Sequence, residues 1–373
     1  MGRRSSCTAA AAEPELAERA SFPQSPAMAV YTQLHRQTIE AMVSVFPEVV
    51  SGARDEHAGV AEVAGIPQGS TNTTFRVTMQ SGAVWYLRVN EGKPLAALAH
   101  ERDVLAALAA VDLDVVTPRM ARSVAGGAFF GLEDGAERRW ACLFPALPGR
   151  DLGPFEVTGH HAAQVGRFLG EAHVGLRQFP RRRRNPYGAA VVDGWLRELL
   201  RFDETATIAT ALGTTMRDLH RRRRLLPAGL VHGDLFIDNT KWEGTGDAAR
   251  LVAVFDWEMA GRDHLALDLA IVVCAWAFRR YDDRLDLDDD VATALVAAYQ
   301  RVRPLCPSER RGLFTELRLA ALRFTTSRLR AFETPRRGAA DRRYLDYRDF
   351  LGRLHCFEGW GERGTLRRLG LHP

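Results

Sequence analysis

The chain reads as an α+β protein of two lobes, β-rich toward its N-terminus and mainly helical beyond its middle. Three observations predict this. Strand-like text rich in β-branched and aromatic residues fills Val60 to Val89. Apolar residues at helical spacing recur from His160 onward. A length of 373 residues exceeds one small core and suits two lobes with an extended interface.

Within the first lobe, Thr73 to Met79 and Ala83 to Val89 read as strands, and Ser81-Gly82 between them is a hairpin signal. Pro94 sits at the first turn of a helix to Ala110, which carries Leu95, Leu98, Val104, Leu105 and Leu108 on one face. Strand signals return at Val115 to Val124, Ala128 to Leu132 and Trp140 to Leu147. After Pro148-Gly149 helices are expected at His160 to Phe179, Gly194 to Arg223, His264 to Arg279, Asp289 to Arg303 and Glu309 to Phe332, with a short one near Tyr344 to His355. Two short strands, around Thr240 to Trp242 and Leu251 to Phe255, flank the turn-rich segment Glu243 to Arg250. The boundaries expected are 1–27 as a disordered N-terminal extension, 28–147 as the N-terminal lobe and 148–373 as the C-terminal lobe. The extension is poor in periodic apolar residues, and Met28 offers an alternative start.

Composition narrows the function classes. A formal charge of +4 over this length gives no argument for nucleic acid. The five cysteines are odd in number, scattered and without a C-x-x-C pair, which argues against a disulfide framework or a structural zinc site and suits a reducing cytoplasm. Leu269 to Phe278, the longest uncharged apolar stretch, is far shorter than the roughly 20 residues of a membrane span and reads as a buried helix. Arg3-Arg4 with Ala9 to Ala12 is too short for an export signal, and Glu13 interrupts it. The runs Arg181 to Arg184 and Arg221 to Arg224 read as solvated helix ends, with an anion-binding patch as the alternative. The sequence carries no signal for an oligomeric state.

The most informative text is Val231-His232-Gly233-Asp234-Leu235-Phe236-Ile237-Asp238-Asn239, followed by Val254-Phe255-Asp256-Trp257-Glu258. Phosphoryl transfer to an alcohol needs a carboxylate beside the hydroxyl and oxygen ligands that hold magnesium against the phosphates. Asp234 follows an apolar approach and can accept the hydroxyl proton. Asn239, five positions on, offers a neutral oxygen, and Asp256 at the end of the next strand an anionic one. His232 is better suited to positioning the loop than to acting as base, and Asp268 stands inside an apolar helix. An isolated Asp in a turn is most often a cap. The joint pattern H-G-D-x-x-x-x-N, then apolar-D-W-E, is hard to obtain by chance.

On these motifs, from about Met28 onward, the chain resembles the aminoglycoside phosphotransferase and choline kinase superfamily. The resemblance implies a bilobal protein-kinase-like fold, ATP with Mg2+, Asp234 as catalytic base, and Asn239 and Asp256 as metal ligands. It makes the first lobe the nucleotide-binding one, with Gly69-Ser70-Thr71-Asn72 as the loop over the phosphates, so that Ser70 and Asn72 are candidates. Arg88 falls where such kinases have a lysine, with Glu101 as its partner, and Cys142 to Leu147 is the hinge for adenine. Arginine departs from the pattern, because its planar fork is not a point charge.

Met28-Ala29-Val30-Tyr31-Thr32, Gly65 to Asn72, Leu169 to His173, Arg184-Asn185-Pro186-Tyr187-Gly188 and Ala321 to Leu329 resemble the homoserine kinase branch. Homoserine to O-phosphohomoserine is therefore the reaction this resemblance implies, with Asn185, Arg323 and Arg328 as substrate candidates. Trp257-Glu258 instead looks like the choline kinase relatives. The same chemistry admits a choline- or ethanolamine-like acceptor, an aminoglycoside-like one or a protein serine. A catalytically silent nucleotide-binding regulator is a reading from another class, prompted only by Arg88.

Overall fold

The structure, a computed structural model, describes residues 32–50, 59–66, 72–134, 137–180, 183–281, 284–333 and 346–371. The extension at 1–27, the Met28 start and Ser70 lie outside these. The chain divides into two compact units: one reaches residue 102 and resumes at 119–146, the other takes 103–118 and everything from 147 on.

The first unit opens with helix α1 (Arg36–Ser44), which buries Ile39, Met42 and Val43 at helical spacing, and the single turn α2 (Pro47–Val50). Strands β1 (Val60–Ile66), β2 (Thr73–Met79) and β3 (Val84–Asn90) follow, then α3 (Leu95–Leu108), whose chain crosses into the second unit, then β4 (Phe130–Asp134) and β5 (Glu137–Pro145). They form an antiparallel sheet in the order β1-β2-β3-β5-β4. In β2 burial alternates residue by residue, so Phe75, Val77 and Met79 face a core shared with Leu87, Val89, Leu143 and α1. Arg88, between Leu87 and Val89, is thereby turned to the opposite face of the sheet.

The second unit is mostly helical: α4 (Gly159–Gly175), α5 (Ala189–Leu199), α6 (Asp203–Arg222), α7 (Leu265–Trp276), α8 (Asp289–Val302), α9 (Pro307–Glu333) and α10 (Tyr347–Arg368). Three two-stranded ribbons interrupt it. Strands β6 (Ala228–Val231) and β9 (Gly261–His264) pair, β7 (Thr240–Glu243) and β8 (Arg250–Val254) form a hairpin, and β10 (Phe278–Tyr281) pairs with β11 (Arg284–Leu287). Helix α7 is apolar nearly all round and buried along its length, apart from the side chain of Asp268, which is enclosed with it. Helices α4 and α8 approach closely because Gly166 and Gly170 present no side chain; a Cβ at Gly166 would lie 2.2 Å from the Leu295 carbonyl oxygen.

Three expected elements differ; the short helix near Tyr344 to His355 is instead the 22-residue α10, which continues to Arg368 across a kink at Gly361 (φ +66°). The strand signal at Val115 to Val124 yields only a bridge, in which Val116 N donates to Val252 O at 2.8 Å and Val116 O accepts from Val254 N at 3.0 Å. Pro118 then ends the pairing, since it has no N–H to donate. The helix expected at Gly194 to Arg223 is two helices, broken where Phe202 is extended (φ −117°, ψ 123°). Asp203 and Glu204 favour a fresh helix start, and Thr205 Oγ1 donates to the freed Leu199 carbonyl at 2.6 Å. Among the described residues no helix is long and apolar enough to cross a membrane.

Candidate active site

The site grows from the end of β6. After Val231 the chain turns at Gly233, whose φ of +78° is open to glycine at little cost. That turn aims two successive backbone N–H groups at one acceptor. His232 N donates to Asp268 Oδ2 at 2.7 Å and Gly233 N to Oδ1 at 2.8 Å, so the α7 carboxylate grips both residues before Asp234. Burial alone would raise the Asp268 pKa, but His173 and the backbone donors outweigh it and hold the carboxyl below its ordinary value. His173 on α4 gives its Nε2–H to Asp268 Oδ2 at 3.0 Å, and its Nδ1 meets the Tyr299 hydroxyl at 2.9 Å, which in turn accepts from Arg303.

His232 has its tautomer fixed by its partners. Asp234 N donates to Nδ1 at 3.2 Å, so the proton sits on Nε2 and is given to Phe255 O at 3.0 Å. Burial lowers the pKa of this ring to about 4, and it packs 4.4 Å from the Trp257 ring centroid. The imidazole therefore ties the loop to the end of β8.

That tie brings the other polar residues together. Asn239 is buried, and its Nδ2 donates to Asp234 O at 2.7 Å, which leaves Oδ1 as its remaining acceptor. Phe255 N donates to Asn239 O at 3.1 Å, setting Asp256 beside this turn. Asp256 is left-handed (φ 61°, ψ 62°), and among the described residues no other non-glycine has positive φ. Such strain persists where surrounding structure over-determines it, commonly at functional sites.

Asp234 is only partly accessible. Burial raises its pKa to about 7, Arg323 opposes the shift, Asp238 and Glu258 reinforce it, and Arg328 opposes it again. Arg323 is 2% exposed and enclosed: Nη1 donates to Gly233 O at 2.7 Å, Nη2 meets Met259 Sδ at 3.3 Å, the guanidinium lies over Tyr187 (4.9 Å) and Phe324 (4.0 Å), and its buried Nε has no acceptor among the described residues. It is a strut behind the loop. Asn185 is also buried; it donates to Asp263 at 3.0 Å while its Oδ1 accepts from Tyr187 N at 2.8 Å, which holds Tyr187 against Arg323. Arg328 lies over Phe350 at 4.5 Å.

In the first unit, Arg88 forks onto Glu101, with Nη1 to Oε1 at 3.0 Å and Nη2 to Oε2 at 2.5 Å, and its guanidinium lies 4.9 Å from the Phe144 ring. Asn72 is half-buried at the entry to β2.

Sequence reasoning alone did not assign roles to His173, Tyr187, Trp257 or Met259. His173 lay within a segment already marked by resemblance, and an Asp in an apolar helix implies a donor facing it. Tyr187 likewise lay in a resembling segment and Trp257 in the apolar-D-W-E motif, though neither was given a role, and Met259 gave no signal.

The model of the phosphotransferase enzyme family matches residues 62–305. Homoserine kinase of Cupriavidus pinatubonensis is 32% identical over 308 residues, covering 78% of this chain and 87% of the relative. In fold, a microcompartment-associated aminopropanol kinase matches with a TM-score of 0.63 at 19% identity, covering 90% of this chain and 99% of the other. A choline kinase from Cryptosporidium parvum matches at 0.59 and 12% identity, covering 90% and 98%. The expected α+β protein-kinase-like fold is the one found. Motif, fold and family match converge: the chain belongs to the phosphotransferase enzyme family and is an ATP-dependent kinase of hydroxyl groups, similar in sequence to that family's homoserine kinases.

Proposed function

We propose that the chain is a homoserine kinase, moving the γ-phosphoryl group of ATP to the side-chain hydroxyl of homoserine to give O-phosphohomoserine and ADP. The observation that carries this reading is the Asp234–Asn239–Asp256 constellation in a chain that shares 32% identity with a homoserine kinase over 87% of that relative. Asp234 orients the hydroxyl and takes its proton; a carboxyl raised to about 7 is well matched to a base at neutral pH. Asn239 Oδ1 and the Asp256 carboxylate would hold Mg2+, which when bound neutralises charge on the phosphates. Among the described residues no group of three or more His, Cys, Asp or Glu could hold a metal. One carboxylate and one amide oxygen suit a magnesium that completes its shell with phosphates and water.

His232 and Asp268 position the loop, and Arg323 and Asn185 brace it from behind. On the nucleotide side we assign Ser70, Asn72, Arg88 and Glu101, with the Arg88 fork held by Glu101 so that its charge serves the phosphates. A reducing cytoplasm suits the free thiols of Cys142, Cys274, Cys306 and Cys356. An amino-alcohol acceptor is the second reading, favoured by Trp257-Glu258.

A coupled ADP-release assay with homoserine, choline, ethanolamine, aminopropanol and an aminoglycoside tests both. Homoserine should give the highest kcat/KM, and Asp234→Asn should lose about 10²–10⁴ in kcat while retaining ATP. Faster turnover of an amino alcohol would overturn homoserine, and an active Asp234→Asn would remove the base.

A further inference from the structure

Several arginines gather near Asp234, and most are already spent. Arg323 is closed off by Gly233 O, Met259 and two rings, and Arg183 donates to Glu258 O at 3.0 Å. Arg328, five residues along α9 from Arg323, differs. Among the described residues its hydrogen bonding is one long contact, Nη1 to Asp346 O at 3.3 Å, against the five donors a guanidinium carries.

Its surroundings are rich in positive charge. Arg353 on α10 lies 4.0 Å over the same Phe350 ring and 5.6 Å from Phe278, and its buried Nε and Nη1 have no hydrogen-bond acceptor among the described residues. The adjacent carboxylates are engaged elsewhere, Asp349 with Arg280 at 2.6 Å and Asp346 with Arg348 at 3.2 Å. Buried guanidinium donors without an acceptor, as at Arg353, are costly, aromatic faces offset only part of that, and the partly accessible Arg328 beside it is left with donors to offer. The fold thus holds a cationic platform short of one anion. Phe350 also packs on Phe324 (4.7 Å) and on Phe236 (6.0 Å), and Phe236 stands two residues after Asp234, so the platform is tied to the catalytic loop.

We infer that Arg328, seated on Phe350 with Arg353 beside it, is the subsite for the carboxylate of the acceptor, so that the enzyme selects hydroxy amino acids over amino alcohols. This rests on the reading of Asp234 as base and deepens it. A carboxylate accepts two parallel bonds from a guanidinium fork, which an ammonium or hydroxyl cannot mimic. Asp238 and Glu258, whose charges bear on Asp234, complement the ammonium of the same ligand. A phosphate oxygen would satisfy Arg328 by the same chemistry, so the test separates the two sources.

Initial rates are measured for the whole chain and for Arg328→Gln with L-homoserine and with L-homoserinol, in which a CH2OH replaces the carboxylate, each at varied ATP. Calorimetric binding of L-homoserine to both proteins supplies a readout independent of turnover, and Arg328→Lys guards against a variant that fails to fold. The wild type should prefer homoserine by about 100-fold, as two charge-assisted bonds imply, and Arg328→Gln should erase that preference with the KM for ATP unchanged. Arg328→Lys should recover only part of it. Equal losses on both acceptors, or a raised KM for ATP with acceptor preference intact, would overturn the subsite while leaving the kinase reading standing. A wild type that turns over no hydroxy amino acid would overturn the acceptor reading, and the subsite with it.

Discussion

Asp268→Asn probes the joint on which the loop carrying Asp234 hangs. Oδ2 accepts from both His232 N and His173 Nε2, whereas Oδ1 accepts only from Gly233 N. The amide oxygen of Asn will therefore take the Oδ2 place, leaving its NH2 facing the Gly233 N–H about 2.8 Å away, donor against donor. One bond to a charged acceptor is lost outright, worth about 1.5–3 kcal/mol, and two others fall to neutral strength, losing about half of theirs. The sum is about 3–6 kcal/mol, close to the cost of breaking a buried ion pair. Guanidinium unfolding at pH 7.5 measures it as a lower midpoint at constant m. Because Gly233 immediately precedes Asp234, kcat in the ADP-release assay should also fall by about 100-fold, the penalty for roughly 1 Å of misplacement. An Asp268→Asn protein within about 0.5 kcal/mol of wild type and fully active would refute the argument, since the bonds from Arg323 to Gly233 O and from Trp276 to Leu235 O would then suffice to hold the loop.

Gly233→Ala should cost about 1–2 kcal/mol from its +78° φ alone, because a Cβ there has room, 3.5 Å from Met259 O; a loss below about 0.5 kcal/mol in the same unfolding assay would contradict this. Gly166→Ala should cost about 3 kcal/mol, since its Cβ meets backbone rather than a movable side chain, and an unchanged melting temperature would mean that α4 and α8 separate freely. The raised Asp234 pKa favours the protonated carboxyl in the folded state. Its contribution to stability is present in full below about pH 4 and is lost as pH rises through about 7. Asp234→Asn should therefore melt above wild type at pH 8, with the gap narrowing as pH falls below about 7 and closing near pH 4; a gap independent of pH would show that Asp234 is not desolvated.

The candidate site was legible because it is nearly contiguous: His232 to Asn239 form one loop, and Asp256 lies one hairpin away. The alternation Phe75, Val77, Met79 likewise fixed the face of β2 that meets the core. What escaped depends on residues far apart in the chain. Asn185 and Arg323 are substrate candidates by resemblance; that both are enclosed, and that they bond to Asp263 and to Gly233 O, only the packed structure shows. The break at Phe202 has neither Gly nor Pro to mark it, and the apolar spacing runs on across it. Helix α1 and the β10–β11 ribbon went unread, being short elements whose form is settled by the neighbours they pack against.

The left-handed Asp256 bears on how its role can be dissected, and on how freely that position can drift. Alanine there would remove a carboxylate and also force a side chain that dislikes this backbone shape, so a loss of nucleotide affinity would have two causes. Asparagine tolerates left-handed backbone about as well as aspartate and differs by one atom and one charge. Few residue types satisfy both demands. The backbone shape alone narrows substitution to Asp, Asn or Gly, and any requirement for an anion then leaves Asp by itself.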